Sequence, residues 1–80
     1  MIRARITVTL KKGVLDPQGK AIEGSLDALG FKDVGSVRQG KVFDVELKGK
    51  NKSEAEKSLN SMCAQLLSNT VIEDYRVAII

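Results

Sequence analysis

Three short segments of the chain carry the polar side chains whose type and spacing best suit binding. Residues 16–19 read Asp-Pro-Gln-Gly, residues 38–41 read Arg-Gln-Gly-Lys, and residues 69–75 contain an asparagine, two adjacent acids and a tyrosine. Arg38 and Lys41 either donate charge-assisted hydrogen bonds to an anionic group on a partner or ligand, or belong to a turn with solvated charges. These side chains indicate contacts with other molecules and do not by themselves indicate a reaction.

The groups that most enzymes use are missing from the sequence. There is no histidine, which removes the usual general base near neutral pH and the commonest metal ligand. No nucleophile elbow, phosphate-binding loop or dinucleotide-binding fingerprint is present. Glu73 and Asp74 fall in a predicted strand, where neighbouring side chains point to opposite faces. We therefore expect that the isolated chain is not an enzyme and binds no cofactor or metal alone.

The single cysteine, Cys63, excludes an intrachain disulfide and a CxxC metal or redox motif. It falls in a helical pattern beside Met62 and Leu66. We interpret it as a buried core thiol, because buried cysteine behaves as a small hydrophobe.

Length and composition bound the class of protein. The chain has 80 residues with a net charge of +3, which predicts one domain over residues 1–80 with a thin core that an oligomer would help to stabilise. No apolar run approaches the roughly 18 residues that span a membrane, and the N-terminus lacks the apolar stretch of a signal peptide, so we expect a cytoplasmic protein. The charge is dispersed and the aromatic residues are few, which disfavours nucleic-acid binding.

Local patterns position these residues on strands and helices. Residues 2–11 alternate apolar and polar, which predicts a half-buried strand. Asp16 caps the first predicted helix and Pro17 fits its first position, while Gly30 fits the end of that helix. Gly19 lies in the first helical turn, where glycine costs about 1 kcal/mol relative to alanine. Glycine there indicates a close approach by another backbone or by a partner.

The second half of the chain repeats this arrangement. Residues 34–48 read as one bent strand with a glycine bulge or as two strands with a hairpin turn at residues 38–41. A polar loop at 49–52 precedes a Ser53–Glu56 capping box and a second helix. That helix ends near Asn69, which tolerates the left-handed conformation, and residues 71–80 form the last strand.

This order predicts an α+β fold, β-α-β(β)-α-β, with a mainly antiparallel sheet of three to four strands and two helices on one face. The polar sheet face offers opposite charges that can pair across strands. It also carries apolar residues that another subunit would cover. The predicted core residues are Leu26, Leu29, Leu59, Met62 and Leu66.

Ordered motifs along the whole chain resemble one family. Residues 8–19 read V-T-L-K-K-G-V-L-D-P-Q-G, residues 29–31 read L-G-F, residues 37–41 read V-R-Q-G-K, and residues 66–75 read L-L-S-N-T-V-I-E-D-Y. The set is similar to the PurS family, the small subunit of phosphoribosylformylglycinamidine synthase. Thr70 departs from the proline that is often expected there.

The resemblance implies a non-catalytic adaptor in de novo purine biosynthesis. Such a subunit joins a synthetase subunit (PurL) and a glutaminase subunit (PurQ), so that ammonia from glutamine is used to convert formylglycinamide ribonucleotide to formylglycinamidine ribonucleotide. ATP and Mg²⁺ would be used by the complex, and the chain would be a homodimer or tetramer. The implied partner-interface residues are Asp16, Gln18, Gly19, Arg38, Lys41, Asn69, Glu73, Asp74 and Tyr75.

One alternative stays open at this point. The same order of elements occurs in small regulatory domains of the ACT type, which bind amino acids at subunit interfaces. Saturable binding of a small molecule by the isolated protein would favour that function over an adaptor.

Overall fold

The computed structural model describes residues 1–49 and 51–80, so the predicted polar loop at 49–52 lies partly outside the described residues, at Lys50. The described elements follow the order β-α-β-α-β and confirm the α+β class. They are strand β1 (Ile2–Leu10), helix α1 (Pro17–Ala28), strand β2 (Gly40–Leu47), helix α2 (Lys52–Met62) with a π-helical segment (Cys63–Leu67), and strand β3 (Glu73–Ile79).

The sheet has three antiparallel strands in the order β2-β1-β3, with β1 in the centre. The predicted alternation of β1 is confirmed, because Ala4, Ile6 and Val8 are buried while their neighbours face solvent. Leu59 and Cys63 pack on this face and complete the buried core. Burial raises the pKa of the Cys63 thiol, as expected for a core cysteine.

Helix α2 begins earlier and ends differently from the prediction. Asn51, not Ser53, is the N-cap, because its side-chain oxygen accepts a hydrogen bond from the Glu54 N–H at 3.2 Å. The predicted Ser53–Glu56 capping box is therefore wrong. At the other end the Ser68 N–H and hydroxyl both donate to the Cys63 carbonyl, at 3.0 and 2.9 Å, which closes the π-helical segment.

The left-handed conformation predicted for Asn69 is also wrong. Among the described residues only glycines have positive φ. Asn69 instead makes a turn with its side chain, whose oxygen accepts from the Val71 N–H at 3.1 Å. The last strand consequently begins at Glu73, two residues later than predicted.

The segment between α1 and β2 contains no strand, although residues 34–39 were predicted to be extended. Strand β2 begins at Gly40, which pairs with Thr9. Residues 38–41 therefore form neither a hairpin nor a bulge. They bring the chain from the start of α1 onto the sheet.

Helix α1 has the predicted ends but not the predicted packing. Gly30 has a φ of +101°, and the Phe31 N–H donates to the Leu26 carbonyl at 3.0 Å, as in a Schellman motif. The helix extends away from the sheet, and Gly19 is its only buried residue. Leu29 is 73% exposed, so its prediction as a core residue is wrong.

The prediction that Leu66 is a core residue is wrong for a related reason. It is 83% exposed because it lies in the π-helical segment, where the wider turn changes which side chains face the sheet. Leu67, one residue later, packs against the core instead.

The chain is elongated, with extents of 49 × 24 × 15 Å and a radius of gyration of 16.1 Å. A compact domain of this length has a radius of gyration of about 12 Å. The radius of gyration is larger because α1 extends away from the sheet. The core is consequently thin, as the length of the chain predicted. In the described part of the chain, no helix is long and apolar enough to cross a membrane.

The two leucines give a matched test of the core. We expect Leu59→Ala to lower the free energy of unfolding by about 2–5 kcal/mol, because Leu59 is fully buried. Leu66→Ala should change it by less than about 0.5 kcal/mol, because that side chain faces solvent. Urea unfolding followed by circular dichroism measures both, and equal losses would contradict the packing of α2.

Candidate functional site

Asp16 lies at the junction of three parts of the chain. Its carboxylate accepts one hydrogen bond from the Gly19 N–H at 2.9 Å, which caps α1, and another from the Gln39 N–H at 2.7 Å. Only 5% of the residue is exposed. The carboxylate thus holds the first turn of α1 against the segment that leads into β2. We call this arrangement the Asp16 clasp. It comprises Asp16, Gly19, Val37 and Gln39.

The clasp depends on Gly19 having no side chain. A Cβ at this position would clash with the backbone carbonyl of Val37. The Val37 N–H donates to the Glu23 carboxylate, one turn further along α1, at 3.0 Å. The close approach predicted at Gly19 is therefore real, and it is made by the protein's own backbone.

Hydrogen bonds make Asp16 a stable anion. The N–H groups of Gln39 and Gly19 hold the pKa of Asp16 below its usual value, and the charge of Arg38 acts in the same direction, while burial opposes the shift. Arg38 itself donates to the carbonyls of Val14 at 2.8 Å and Lys11 at 3.1 Å. Its guanidinium therefore braces the loop that joins β1 to α1, a role that the sequence did not predict.

A cleft of about 300 Å³ opens beside the clasp, on the helix-bearing face of the sheet. Lys41 and Glu73 stand on opposite sides of β1 within this cleft, and their charged groups lie 3.7 Å apart. Gln18 contributes a polar side chain at the start of α1. The cleft is lined by Val8, Leu10, Asp16, Pro17, Gln18, Gln39, Gly40, Lys41 and Glu73.

Glu73 links the third polar segment to this cleft. Its carboxylate accepts from the Asn69 N–H at 2.7 Å, and the Glu73 N–H donates to the Asn69 carbonyl at 2.7 Å. Asn69 is therefore held at the rim of the cleft by reciprocal bonds. Glu73 is the residue through which the turn before β3 contacts Lys41 on β2.

Two of the predicted interface residues lie away from the cleft and from the residues beside it. Asp74 points to the opposite face of the sheet, where it pairs with Lys11 at 2.7 Å. Tyr75 is half-buried further along β3, beside α2. The structure thus brings Asp16, Gln18, Lys41 and Glu73 together, places the other three (Gly19, Arg38 and Asn69) next to them, and separates Asp74 and Tyr75 from them.

The polar face of the sheet carries the charge pairs that the sequence predicted. Arg5 bonds Asp44 at 2.8 Å, and Arg3 lies 3.6 Å from Glu46. The hydrogen bond from Arg5, reinforced by its charge, lowers the pKa of Asp44, and the same contact raises the pKa of Arg5. These groups are exposed, so the pairs fix the register of β1 and β2 more than they stabilise the fold.

Sequence reasoning missed Glu23 and the pairing of Lys41 with Glu73. The sequence did hold a signal for the Lys41–Glu73 pairing, because both residues fall on the apolar faces of their strands. Within residues 1–49 and 51–80, no group of three or more metal-ligating side chains is placed to hold an ion. The arrangement combines a hydrogen-bonded backbone junction with a small cleft that holds an ion pair between Lys41 and Glu73, which suits recognition of a partner surface.

Comparisons with known proteins bear on the same residues. The family model for PurS, phosphoribosylformylglycinamidine (FGAM) synthase, matches residues 3–80. A curated phosphoribosylformylglycinamidine synthase subunit PurS from Methanocaldococcus jannaschii is 38% identical over 79 residues, which are 99% of this chain and 95% of that protein. A crystal form of Bacillus subtilis PurS has a TM-score of 0.91 at 38% identity, covering 100% of this chain and 99% of that one.

A further solved structure is that of PurLQS from Thermotoga maritima. One of its chains has a TM-score of 0.90 to this protein at 32% identity. The match covers 99% of this chain and 96% of the chain in that structure. Both the fold and the sequence are therefore similar over nearly their whole length.

Two glycines of α1 test the clasp directly. We expect Gly19→Ala to destabilise the protein by about 1–3 kcal/mol, because the added methyl group meets the Val37 carbonyl. Gly24→Ala is the matched control, since a Cβ there meets nothing within 4 Å and should stabilise the helix by about 0.4–1 kcal/mol. Thermal unfolding of both variants measures the difference, and a stabilising Gly19→Ala would disprove the close approach.

The Asp16 carboxylate also predicts a pH dependence. Its pKa is lower in the folded than in the unfolded state, so its contribution is complete above the unfolded value of about 3.9 and is lost as the pH falls through the folded value. We expect Asp16→Asn to be less stable than the wild type at pH 7, with the gap closing below about pH 4. Urea unfolding at several pH values measures this gap, and the exposed Asp33→Asn variant serves as the control. A gap independent of pH would contradict the prediction.

Proposed function

This chain belongs to the PurS family of phosphoribosylformylglycinamidine synthase subunits, and we propose that it is the adaptor that joins the synthetase and glutaminase subunits of that enzyme. The observation that carries the proposal is the full-length likeness to a chain of a PurLQS structure, combined with a family match over residues 3–80. In the proposed complex, ammonia released from glutamine converts formylglycinamide ribonucleotide to formylglycinamidine ribonucleotide at the expense of ATP.

The need for an adaptor follows from the chemistry of ammonia. Ammonia that escapes into water is protonated and ceases to be a nucleophile, so the two active sites must be held together. A subunit that does this needs surfaces, not catalytic groups. ATP and Mg²⁺ are assigned to the synthetase subunit, and this chain contributes neither nucleotide-binding nor metal-binding groups to the proposal.

Exposed apolar side chains on and after α1 support a docking role. Ile22, Leu29, Phe31 and Val34 are all exposed in the single protomer. Exposed apolar residues on and just after a projecting helix are typical of surfaces that another protein covers. The Asp16 clasp fixes the direction in which this helix leaves the sheet, and the Lys41–Glu73 ion pair lies in the adjacent cleft.

The thin core and elongated shape support self-association as well. A protomer with a 16.1 Å radius of gyration buries little apolar surface alone, so a homodimer or a tetramer is part of the proposal. We also propose that the complex works in the cytoplasm, where purine precursors are made. The ligand-sensing alternative finds no support in the similarities described above.

Reconstitution tests the adaptor function. We expect glutamine-dependent formation of product only when this chain is mixed with the synthetase and glutaminase subunits. Ammonia-dependent formation should proceed with the synthetase alone, because added ammonia bypasses the junction between subunits. Both rates are measured by product formation under the same conditions, and equal use of glutamine without this chain would contradict the proposal.

Matched variants show which surface makes the junction. Leu29→Glu should weaken assembly with the two larger subunits without changing the stability of the isolated chain. Ser25→Glu, at an exposed polar position of α1, should leave assembly unchanged.

If Arg38→Ala and Lys41→Ala both left assembly and glutamine-dependent activity intact, the proposed charge contact with a partner at the cleft would be wrong.

A further inference from the structure

We propose that a cleft between the turn after β1 and the segment before β2 binds a dianionic phosphate group, with Lys12 and Arg38 as the binding cations. The phosphate group is that of a phosphate monoester or of free phosphate. The inference goes beyond the proposed function, which gives this chain docking surfaces and no small-molecule ligand. It also concerns a different cleft from the one beside the Asp16 clasp.

The cleft lies at the end of β1, where the chain turns towards α1. Its volume of about 590 Å³ falls within the range of about 300–1,000 Å³ that is typical of small-molecule sites. Both of its cations are exposed, so a ligand reaches them in the isolated chain. The cleft is lined by Thr9, Leu10, Lys12, Gly13, Ser36 and Arg38.

A turn over residues 11–14 determines where Lys12 lies. The Val14 N–H donates to the Lys11 carbonyl at 3.0 Å, which closes the turn. Gly13 has a φ of +91°, as expected for the third residue of a type II turn. Lys12 therefore occupies the corner of this turn, from which its side chain reaches the cleft.

Arg38 is held against the same turn. Its Nη1–H donates to the Val14 carbonyl at 2.8 Å, and its Nη2–H donates to the Lys11 carbonyl at 3.1 Å, so the guanidinium bridges both ends of the turn. A guanidinium has more N–H donors than these two bonds use. The plane of those remaining donors is already fixed, so a bound anion does not have to order this side chain.

The lining of the cleft carries an excess of positive charge. It contains two cations and no carboxylate. Four other clefts in the described part of the chain each contain at least one carboxylate. An anion that enters this cleft is therefore attracted by both cations and meets no like charge among the lining residues.

The acids nearest to these cations are already bonded. Asp74 pairs with Lys11 at 2.7 Å on the polar face of the sheet. Asp16 lies close enough to Arg38 for their charges to interact, but it is only 5% exposed and its carboxylate accepts two backbone N–H bonds. Asp16 offsets part of the charge of Arg38, so the excess positive charge of the cleft depends mainly on Lys12.

The set of donors matches a phosphate group better than a carboxylate. Arginine presents a planar fork to phosphate oxygens, and lysine adds a point charge. The hydroxyl groups of Ser36 and Thr9 are further donors in the same cleft. A phosphate monoester carries about two negative charges at neutral pH and several strong acceptor oxygens. A carboxylate has a single charge and fewer oxygens, and it would leave part of this set unused.

A titration of the full-length, isotope-labelled chain with inorganic phosphate tests the site by nuclear magnetic resonance. We expect saturable shifts of the backbone amide signals of Lys12, Gly13, Ser36 and Arg38 at millimolar phosphate. Sodium chloride at equal ionic strength is the control for screening of the charges. Equal shifts with chloride, or shifts that do not saturate, would overturn the proposal.

Two exposed lysines provide a matched pair of variants. Lys12→Gln should raise the dissociation constant for phosphate about tenfold, because it removes one cation and one charge-assisted hydrogen bond. Lys57→Gln, on α2 and outside the cleft, makes the same change in net charge and should leave binding unchanged. Both side chains are exposed, so neither variant should prevent folding. Equal weakening by the two variants would mean that only net charge matters, which overturns the site.

Ribose 5-phosphate distinguishes the two sources of the phosphate group. Binding several-fold tighter than that of inorganic phosphate assigns the site to sugar phosphates, and equal binding assigns it to free phosphate. Ribose without phosphate should not bind, and ribose binding as tight as that of ribose 5-phosphate would overturn the proposal. The adaptor function is measured separately by reconstituted glutamine-dependent activity, because this inference does not depend on assembly.

Discussion

The Asp16 carboxylate is the constraint on which this end of the molecule depends. It accepts hydrogen bonds from Gly19 and Gln39, and so it fixes both the start of α1 and the path of the chain into β2. A neutral or shorter side chain cannot serve both donors equally well, since a charged acceptor strengthens each bond and two oxygens are required. Glycine at position 19 is the necessary complement, because the two backbone segments meet where a side chain would be. The direction of α1, and with it the apolar surface that α1 presents, follows from this one junction.

What the sequence predicted correctly was local. The alternation of β1 and the caps at Asp16 and Gly30 depend on residues within one or two turns of each other, so short patterns suffice to identify them. The core prediction for Leu29 failed because an apolar stripe shows that a surface is to be covered but not by which chain. The core prediction for Leu66 failed because the π-helical segment changes which side chains face the sheet. The N-cap at Asn51 was missed because two nearby polar residues compete for that position, and only the packing of the following helix on the sheet decides between them. The cleft was half predictable, because Asp16, Gln18, Lys41 and Glu73 were identified from the sequence. Asp74 was grouped with them although the strand period places it on the opposite face, and Tyr75 shares the face of Glu73 but lies further along β3, beside α2.

The charged residues of this chain show how an adaptor differs from an enzyme of similar composition. Asp16, Glu23 and Arg38 bond to backbone groups of their own chain, while Lys41 and Glu73 neutralise each other across β1. An active site keeps such groups unsatisfied so that a substrate can complete them. Here these five side chains are satisfied within their own chain, which favours a fixed surface over a reactive one.

The projection of α1 away from the sheet links the lifetime of the chain to its assembly. A helix of 12 residues that is fixed to the rest of the chain near its start, at Asp16 and Glu23, is marginal in water and opens more easily than the sheet. A protease that needs an extended segment is therefore expected to cut α1 more readily in a free copy than in a copy whose helix is covered by a partner.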